Sequence, residues 1–516
     1  MTFKTGTVGA ASLEAILGAG AHGRGRALRD RAATLIEVTG GVAPSEPAEA
    51  AQAVGRLIGS GDPALCWLAM SVMASKFPSP VEVETLLRRV LLGDETSSGL
   101  VEYLQSRGQL DATSWVDVSV QSGGVMVDVD HTGRYSFGTG IQRVARETVR
   151  RWADRHDVAL VAWTYHFDAY RRLNPDEHAR AIGMPARLAS TETREPDAHS
   201  AVVVPWRTTV LVPELPVERL RSDAFAGVAR YSQSTTGVVG FDCVPLTMAE
   251  TTAEGMPVAF LHYLAACAHV TRIAAISATA AAEYQGWRAM LSSRGISGPR
   301  IEAVELASQP GEPTGEDLLA ARNLFGVGPL PIVLVVGSHE PRKNHLVVLQ
   351  AAEALWRSGL RFALAFLGGN SWKSARFFER VEGLQKAGRP IQVVSAVSDS
   401  MLWAAYRQAA CSVFVSLHEG FGLPVVESLL SGTPVITSCY GAMADAARDG
   451  GCLLVDPRQP ADVARALRSL LTDAELAAKL RREAAKLRRE AAGTTRRSWD
   501  DYAERTWDFL AQGVFE

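Results

Sequence analysis

Residues 419–427, Glu-Gly-Phe-Gly-Leu-Pro-Val-Val-Glu, decide the fold, because they join a predicted strand to a predicted helix through a glycine-containing turn. The apolar run 411–415 just before them predicts the buried strand. Pro424 favours the first helical position, where its missing N–H has no partner to lose, and this places Glu427 in the first helical turn and Glu419 in the loop. Amides at the positive end of a helix, beside two carboxylates, suit a ligand with phosphate charge and several hydroxyls, such as a nucleotide-sugar.

These two glutamates, with Gly-Phe-Gly-Leu-Pro between them, resemble the Glu-x7-Glu signature of retaining glycosyltransferases of the GT-B fold, in the large family numbered four. The resemblance covers residues 125–510. It implies an α/β fold of two doubly wound, Rossmann-like domains with a cleft between them. A mostly helical accessory region would precede these domains.

The composition of the 516-residue chain is that of an ordinary globular protein, with 47% hydrophobic and 21% charged residues. A formal net charge of −3 argues against a nucleic-acid binder that depends on overall positive charge. The six cysteines have neither CxxC nor zinc-ligand spacing, which favours a reducing compartment. The first residues lack an apolar signal core, and no apolar stretch is long enough to span a membrane, so we expect a cytoplasmic protein.

Spacing and composition divide the chain into four parts. Residues 1–120 have the apolar spacing of helices and predict an accessory region, either a docking or oligomer surface or a passive appendage. Strands alternate with helices over 121–315 and again over 316–495, which predicts two doubly wound domains joined by a hinge at 308–315. The resemblance implies that the first is the acceptor domain and the second the donor-binding domain. Residues 496–516 predict a last amphipathic helix, and the resemblance implies that it crosses back to the first of these domains. The predicted strands are 125–129, 158–163, 209–212, 238–241 and 272–277, then 332–336, 362–367, 391–394, 411–415, 434–437 and 452–455.

A seven-residue repeat, Ala-Ala-Lys-Leu-Arg-Arg-Glu, occupies residues 477–483 and again 484–490. Seven residues are nearly two helical turns, so the second copy extends a helix without rotating its face much. A basic helix of this kind could place the protein peripherally at the inner membrane face, although a solvated helix face is the more common role.

Two cations, Arg342 and Lys343, follow the first strand of the second domain and precede a helix that Asn344 is expected to cap. Ligands of open α/β sheets bind at this edge. Two loop cations alone are usually solvated, but beside Glu419 and Glu427 they predict a diphosphate site. Their charge would stabilise a departing nucleoside diphosphate more than the bound substrate, which is why we expect Arg342 and Lys343 to act in catalysis with Glu419.

A glycine loop, residues 135–143, follows the first strand of the first domain. Gly138, Thr139 and Gly140 would let the backbone approach a phosphate at a helix start. An ordinary turn or a dehydrogenase loop remains an alternative, although the third glycine of the dinucleotide-binding pattern is missing. The loop resembles the one that faces the donor diphosphate in GT-B enzymes, and the resemblance implies that Arg143 contacts the acceptor.

The resemblance also implies roles for two other turns. Asp242 lies where relatives place a His-Asp turn before the acceptor pocket, so it would orient an acceptor hydroxyl or merely cap a turn. Val397 lies in a turn that packs against the nucleotide base in the family. The pair Asp128 and Asp130 matches the short Asp-x-Asp of metal-dependent glycosyltransferases, but the cationic loop already supplies compensating charge, and we expect neither an obligatory metal nor a cofactor.

The resemblance therefore implies transfer of a sugar from a nucleoside diphosphate to a glycan or lipid-linked hydroxyl with retention of configuration, as in bacterial polysaccharide mannosyltransferases. GDP-mannose is the preferred donor. Glu419 would bind the sugar hydroxyls and Glu427 the ribose, while the turn between them contributes backbone contacts from Gly420, Phe421, Gly422 and Leu423. The alternatives are a sugar-nucleotide epimerase, a phosphorylase and a non-catalytic nucleotide-sugar-binding scaffold. The pattern leaves the oligomeric state open.

Overall fold

The computed structural model describes residues 12–19, 23–93, 96–110, 115–135, 140–183, 201–307, 309, 311–325, 328–395, 397–492 and 498–511. Gly138 and Thr139, and parts of the expected hinge at 308–315, lie outside the described residues.

The described secondary structure elements of the N-terminal region, up to residue 106, are all helices. Its helices are α1 (Leu13–Gly18), α2 (Arg24–Val38), α3 (Pro47–Gly59), α4 (Pro63–Ala74), α5 (Pro80–Leu91) and α6 (Thr96–Ser106). Local chemistry sets their starts: Asp62 accepts from the Ala64 amide at the start of α4, and Ser79 and Glu82 form a capping box at the start of α5. The helix α4 is apolar on all sides and is buried along most of its length, as such helices require.

The first sheet domain contains, in chain order, β1 (Val118–Ser122), β2 (Val125–Asp128), α7 (Asp130–Arg134), α8 (Gly140–Arg155), β3 (Val158–Trp163), β4 (Tyr170–Arg172), α9 (Pro175–Ala181), β5 (Val202–Trp206), β6 (Thr209–Val212), α10 (Arg219–Tyr231), β7 (Thr235–Gly240), α11 (Val244–Thr247), a 3₁₀ turn (Ala249–Thr251), α12 (Met256–Cys267), β8 (Arg272–Ala275), α13 (Ala278–Ser292) and β9 (Arg300–Ala303). Within the described residues, the sheet order is β1-β5-β4-β3-β2-β6-β7-β8-β9. Only β4 among these strands pairs antiparallel with its neighbours.

The helical N-terminal region shares one hydrophobic core with this sheet. Phe77, just after α4, packs against Trp163 and Tyr170, with ring centroids 5.9 and 5.4 Å away. The Phe77 amide also donates to the Asp168 carbonyl at 2.6 Å. Removing this region would expose large aromatic surfaces of the first sheet domain, so the two form one packed unit.

The second sheet domain contains α14 (Gly315–Phe325), β10 (Ile332–Val336), a 3₁₀ turn (Pro341–Lys343), α15 (His345–Arg357), β11 (Ala363–Leu367), α16 (Ala375–Lys386), β12 (Ile391–Val394), α17 (Asp399–Gln408), β13 (Cys411–Phe414), α18 (Leu423–Leu430), β14 (Val435–Ser438), α19 (Gly441–Ala446), β15 (Cys452–Val455), α20 (Pro460–Thr472) and α21 (Ala474–Ala492). Its described strands are all parallel, in the order β12-β11-β10-β13-β14-β15. The predicted pair of doubly wound α/β domains is confirmed.

The last helix, α22 (Trp499–Leu510), lies against α8 and β8 of the first sheet domain. Trp152 donates its indole N–H to the Ala503 carbonyl at 2.9 Å, and His156 stacks on Trp507 with ring centroids 3.8 Å apart. None of the helices in the described part of the chain is long and apolar enough to cross a bilayer.

Several local expectations were wrong. Asn344 occupies the predicted N-cap position of α15 but its side chain makes no capping hydrogen bond: its backbone is left-handed, at φ 59°, and its side-chain amide donates to the carbonyls of Val415 and Pro457. The helix α18 begins at Leu423, one residue earlier than predicted, so Pro424 is its second residue and Glu427 is past its first turn. The strands β1, β4, β5 and β9 were not predicted.

Candidate functional site

Two loops of the second sheet domain place a carboxylate against two cations. Glu419 follows β13, while Arg342 and Lys343 follow the adjacent strand β10. The Glu419 Oε1 atom lies 2.8 Å from Lys343 Nζ and 2.7 Å from Arg342 Nη1. Burial by itself would raise the pKa of Glu419, but the neighbouring Arg342 and Lys343 lower it to about 2, so the carboxylate is ionised at neutral pH.

Neighbouring residues hold these cations in place. Arg342 also donates to Glu340 Oε1 at 2.7 Å and to the His418 carbonyl at 2.6 Å. Although burial opposes its charge, Glu419 and Glu340 hold the pKa of Arg342 above its ordinary value. The Lys343 ammonium lies 4.9 Å from the centre of the Phe414 ring. The positive charge is therefore fixed in position before any ligand arrives.

The turn from Glu419 to Glu427 enters α18 through Gly422, whose φ of 88° is left-handed and favours glycine. Glu427 points away from the cations of the β10 loop, toward other partners. Its Oε1 atom lies 3.2 Å from Arg143 Nη1 of the first sheet domain, and its Oε2 atom accepts from the Tyr406 hydroxyl at 3.2 Å. Burial raises the pKa of Glu427, although Arg143 opposes this rise.

The first sheet domain closes over the same turn. Gly420 packs so tightly against it that an added Cβ would lie 2.8 Å from the Phe241 carbonyl oxygen and 3.0 Å from Asp242 Oδ2. Burial raises the pKa of Asp242, an effect that Arg342 opposes. Asp242 therefore faces the group formed by Glu419 and Arg342 across the domain boundary.

The structure brings most of the predicted site residues together at this boundary. Gly140 is the exposed first residue of α8, one turn before Arg143. Val397 is half-buried two residues before α17 and packs against the core that contains Tyr406. Gly138 and Thr139, which lie outside the described residues, are not placed.

The Asp-x-Asp pair has a structural explanation. Asp128 accepts from Arg221 at 2.9 Å and from the Trp163 indole at 2.6 Å. Asp130 accepts from Arg134 and from the Trp163 amide. Burial raises the pKa of Asp128 to about 6. Both carboxylates are thus engaged in an internal network.

The sequence patterns assigned no role to several residues that contact the site, among them Glu340, Tyr406, His418 and Glu283. The first three lie next to the predicted motifs or in a helix beside them, so their position near those motifs could have indicated a role in the site. Glu283 lies on α13 of the other domain, and nothing in its local sequence distinguishes it from a solvent-facing helix residue.

The chain resembles known glycosyltransferases in sequence. Residues 325–487 match the family model for glycosyl transferases group 1. The serotype-specific mannosyltransferase WbdA of Escherichia coli is 26% identical over 430 residues, which cover 78% of this chain and 50% of WbdA. The chain thus spans about half the length of the curated relatives that it matches in this way.

Solved structures share the fold at low sequence identity. The sucrose-phosphate synthase of Thermosynechococcus elongatus aligns with a TM-score of 0.53 at 15% identity, covering 75% of this chain and 98% of the synthase. Anabaena HepE, solved in complex with UDP and glucose, aligns with a TM-score of 0.53 at 12% identity, covering 76% of this chain and 100% of HepE. The GT-B fold inferred from the motifs is confirmed.

Proposed function

We propose that this chain, which carries a glycosyltransferase group 1 domain in a GT-B fold, transfers a sugar from a nucleoside diphosphate to a hydroxyl of a glycan or lipid-linked acceptor. The observation that carries the proposal is the buried contact of Glu419 with Arg342 and Lys343 at the boundary of the two sheet domains. One carboxylate and two cations held against one another supply the groups that a sugar and its diphosphate require.

Arg342 and Lys343 bind the diphosphate in this proposal. When the bond between the sugar and the phosphate breaks, negative charge grows on the departing phosphate oxygen. Cations already fixed by Glu340 and Glu419 stabilise that charge without a costly rearrangement, so they lower the barrier more than they tighten substrate binding.

Glu419 is ionised and accepts hydrogen bonds from the sugar hydroxyls, which places the anomeric carbon next to the acceptor. Glu427 accepts from the ribose hydroxyls, and Arg143 shifts from Glu427 toward the acceptor when the nucleotide binds. Gly420 to Leu423 contribute backbone contacts to the donor, as do Val397 on the base side and Gly138 to Gly140 on the phosphate side. Asp242 orients the acceptor hydroxyl from the opposite domain.

Retention of configuration is part of the proposal. The acceptor attacks on the face that the diphosphate leaves, and the departing phosphate oxygen takes the proton of the acceptor hydroxyl. A new C–O bond forms at the anomeric carbon as the old one breaks, and the nucleoside diphosphate leaves. Neither a metal nor a cofactor enters this sequence.

Mannose from GDP-mannose is the preferred substrate because WbdA, which aligns with 78% of this chain, is a mannosyltransferase.

The proposed location is the cytoplasm, with peripheral membrane contact through α21. The exposed cations of α21 are Lys479, Arg482, Lys486 and Arg489, which recur at helical spacing on one face. Binding to vesicles that contain anionic lipid, lost in K479E/K486E, tests that contact.

A panel of nucleotide-sugars tests the function directly. A bound donor stabilises the folded state by about 2.7 kcal/mol at a hundredfold excess over its Kd, so thermal shift identifies it. We expect GDP-mannose to raise the melting temperature more than UDP-glucose does, and GDP to be released when acceptor is present. NMR of the product should show that the transferred sugar keeps its anomeric configuration. Conversion of the donor to an epimer, or phosphate-dependent release of sugar phosphate, would instead identify an epimerase or a phosphorylase.

A further inference from the structure

One helix of the first sheet domain holds the residues on both sides of Glu419. Ser277, which caps the start of α13, donates its hydroxyl to the Gly420 carbonyl at 2.5 Å. Glu283, further along the same helix, lies 2.5 Å from His418 through its Oε1 atom and the histidine Nε2 atom. The residue before Glu419 and the residue after it are thus both bonded to α13, from across the domain boundary.

The second oxygen of Glu283 reaches the acceptor side. Its Oε2 atom accepts from the Cys243 amide at 2.7 Å, and Cys243 directly follows Asp242. A single carboxylate therefore ties the turn that carries Asp242 to the turn that carries Glu419. Because Glu283 and His418 are only 14% and 22% exposed at their side chains, solvent screens this contact much less than a surface pair.

From this arrangement we propose that Glu283 and His418 are positioning residues, which set the distance between the donor-binding turn and the acceptor-binding turn when the two domains close. This inference rests on the proposed glycosyl transfer and adds a step to it. Most of the proposed donor contacts come from the second domain, so breaking the contact should change donor affinity little. The acceptor hydroxyl then meets the anomeric carbon at the wrong distance, and transfer slows.

The contact makes domain closure sensitive to pH. The charged groups that face the His418 ring are Glu283 on α13, Asp242 after β7 and Glu419 beside it; Arg342 contacts its backbone carbonyl. The hydrogen bond to Glu283 raises the pKa of His418, while burial opposes the rise. A raised pKa means that the ion pair is complete at low pH and loses its charge as pH rises through the pKa of the folded protein.

The test compares the wild-type protein with Glu283→Gln, His418→Gln and the double variant. We expect each single change to lower kcat for transfer at least about tenfold while the donor Kd stays within about twofold of wild type. The double variant should be no slower than the slower single variant, because both changes remove the same contact. The decline of wild-type kcat at alkaline pH should move to lower pH in Glu283→Gln and vanish in His418→Gln.

Asp445→Asn is the matched control, since Thr279 donates to Asp445 at 3.0 Å across the same domain boundary, and this bond involves neither Glu283 nor His418. Its kcat should stay near wild type. Unchanged kcat and pH profile in Glu283→Gln would overturn the inference, as would an equal loss in Asp445→Asn. If the wild-type chain turns over no donor, the proposed function fails instead.

Titration of the His418 ring by NMR gives a measurement independent of activity: a pKa that does not fall in Glu283→Gln also contradicts the inference.

Discussion

Lys343 Nζ and Glu419 Oε1 are 2.8 Å apart, although 76 positions separate the two residues in the chain. Their loops follow β10 and β13, which are neighbours in the second sheet, so the carboxyl ends of adjacent parallel strands bring the two groups together. Both side chains are about one-tenth exposed, and Arg342 completes the group. A buried charge cluster of this kind lies at the edge where doubly wound sheets bind ligands.

Lys343→Met should lower kcat by about 10²- to 10³-fold, because it removes one fixed cation from the departing diphosphate. Glu419 keeps Arg342 as a partner in this variant, so the fold should survive. Release of nucleoside diphosphate under saturating donor measures the effect. Lys386→Met, which removes an exposed cation paired only with Glu382, is the control and should match wild type. Equal turnover in the two variants would contradict the assigned role of Lys343.

Glu427→Gln should weaken donor binding and change its pH dependence. Because burial raises the pKa of Glu427, protonation begins at a higher pH than for an exposed glutamate. Wild-type donor affinity should therefore fall as pH drops toward the acidic range, since the protonated group no longer accepts two hydrogen bonds from ribose. The variant should bind more weakly at neutral pH and lack this fall. Isothermal titration calorimetry at several pH values measures the donor affinity and its pH dependence. If donor affinity falls toward acidic pH in the variant as it does in the wild type, a group other than Glu427 is being protonated.

Gly420→Ala should slow transfer without unfolding the protein. The added methyl group would press on the Phe241 carbonyl and on Asp242 across the domain boundary, and so hold the two turns apart. We expect kcat to fall by about tenfold or more while donor binding changes little. The comparison is Gly383→Ala in α16, where an added Cβ meets no atom within 4 Å. A Gly420→Ala protein as active as Gly383→Ala would show that the close approach is dispensable.

Acid should weaken the second sheet domain through His345. Burial, with the nearby His339 and Lys343, lowers the pKa of His345 to about 3 from its ordinary 6.5. The unfolded chain thus takes up a proton below pH 6.5 that the folded protein refuses until much lower pH, so the free energy of unfolding falls by about 1.4 kcal/mol per pH unit in that range. When urea unfolding is measured across this pH range, the free energy of unfolding of His345→Phe should fall less per pH unit than that of the wild type. The exposed control His166→Phe should show the same pH dependence as the wild type.

Local patterns predicted the strands that carry the site. The continuous apolar run Ile332–Val336 was located to the residue, because a strand buried on both faces needs apolar side chains throughout. The missed strands have short or conflicting patterns. β4 has the sequence Tyr-Arg-Arg, and β5 contains Pro205, a residue that ordinarily argues against a strand interior.

The remaining features of the site depend on tertiary contacts, which limits how far the sequence can predict them. Strand order places Arg342 and Glu419 at one edge, so their pairing followed from the fold class. The contact of Glu283 with His418 depends on how two separate domains meet, and no local pattern encodes it. The shared core of Phe77 with Trp163 was likewise invisible, because the helical region has the spacing of an independent domain.

The assignment of Glu419 to the donor sugar can be tested by measuring release of nucleoside diphosphate by Glu419→Gln. The variant is assayed beside the wild type, with the donor that gives the largest thermal shift. The neutral amide keeps the side-chain shape but removes the charge that faces Arg342 and Lys343. We predict that release falls to background while circular dichroism and donor-free melting still report a folded protein. Wild-type turnover from this folded variant would contradict the assignment of Glu419 to the sugar, and with it the proposed site.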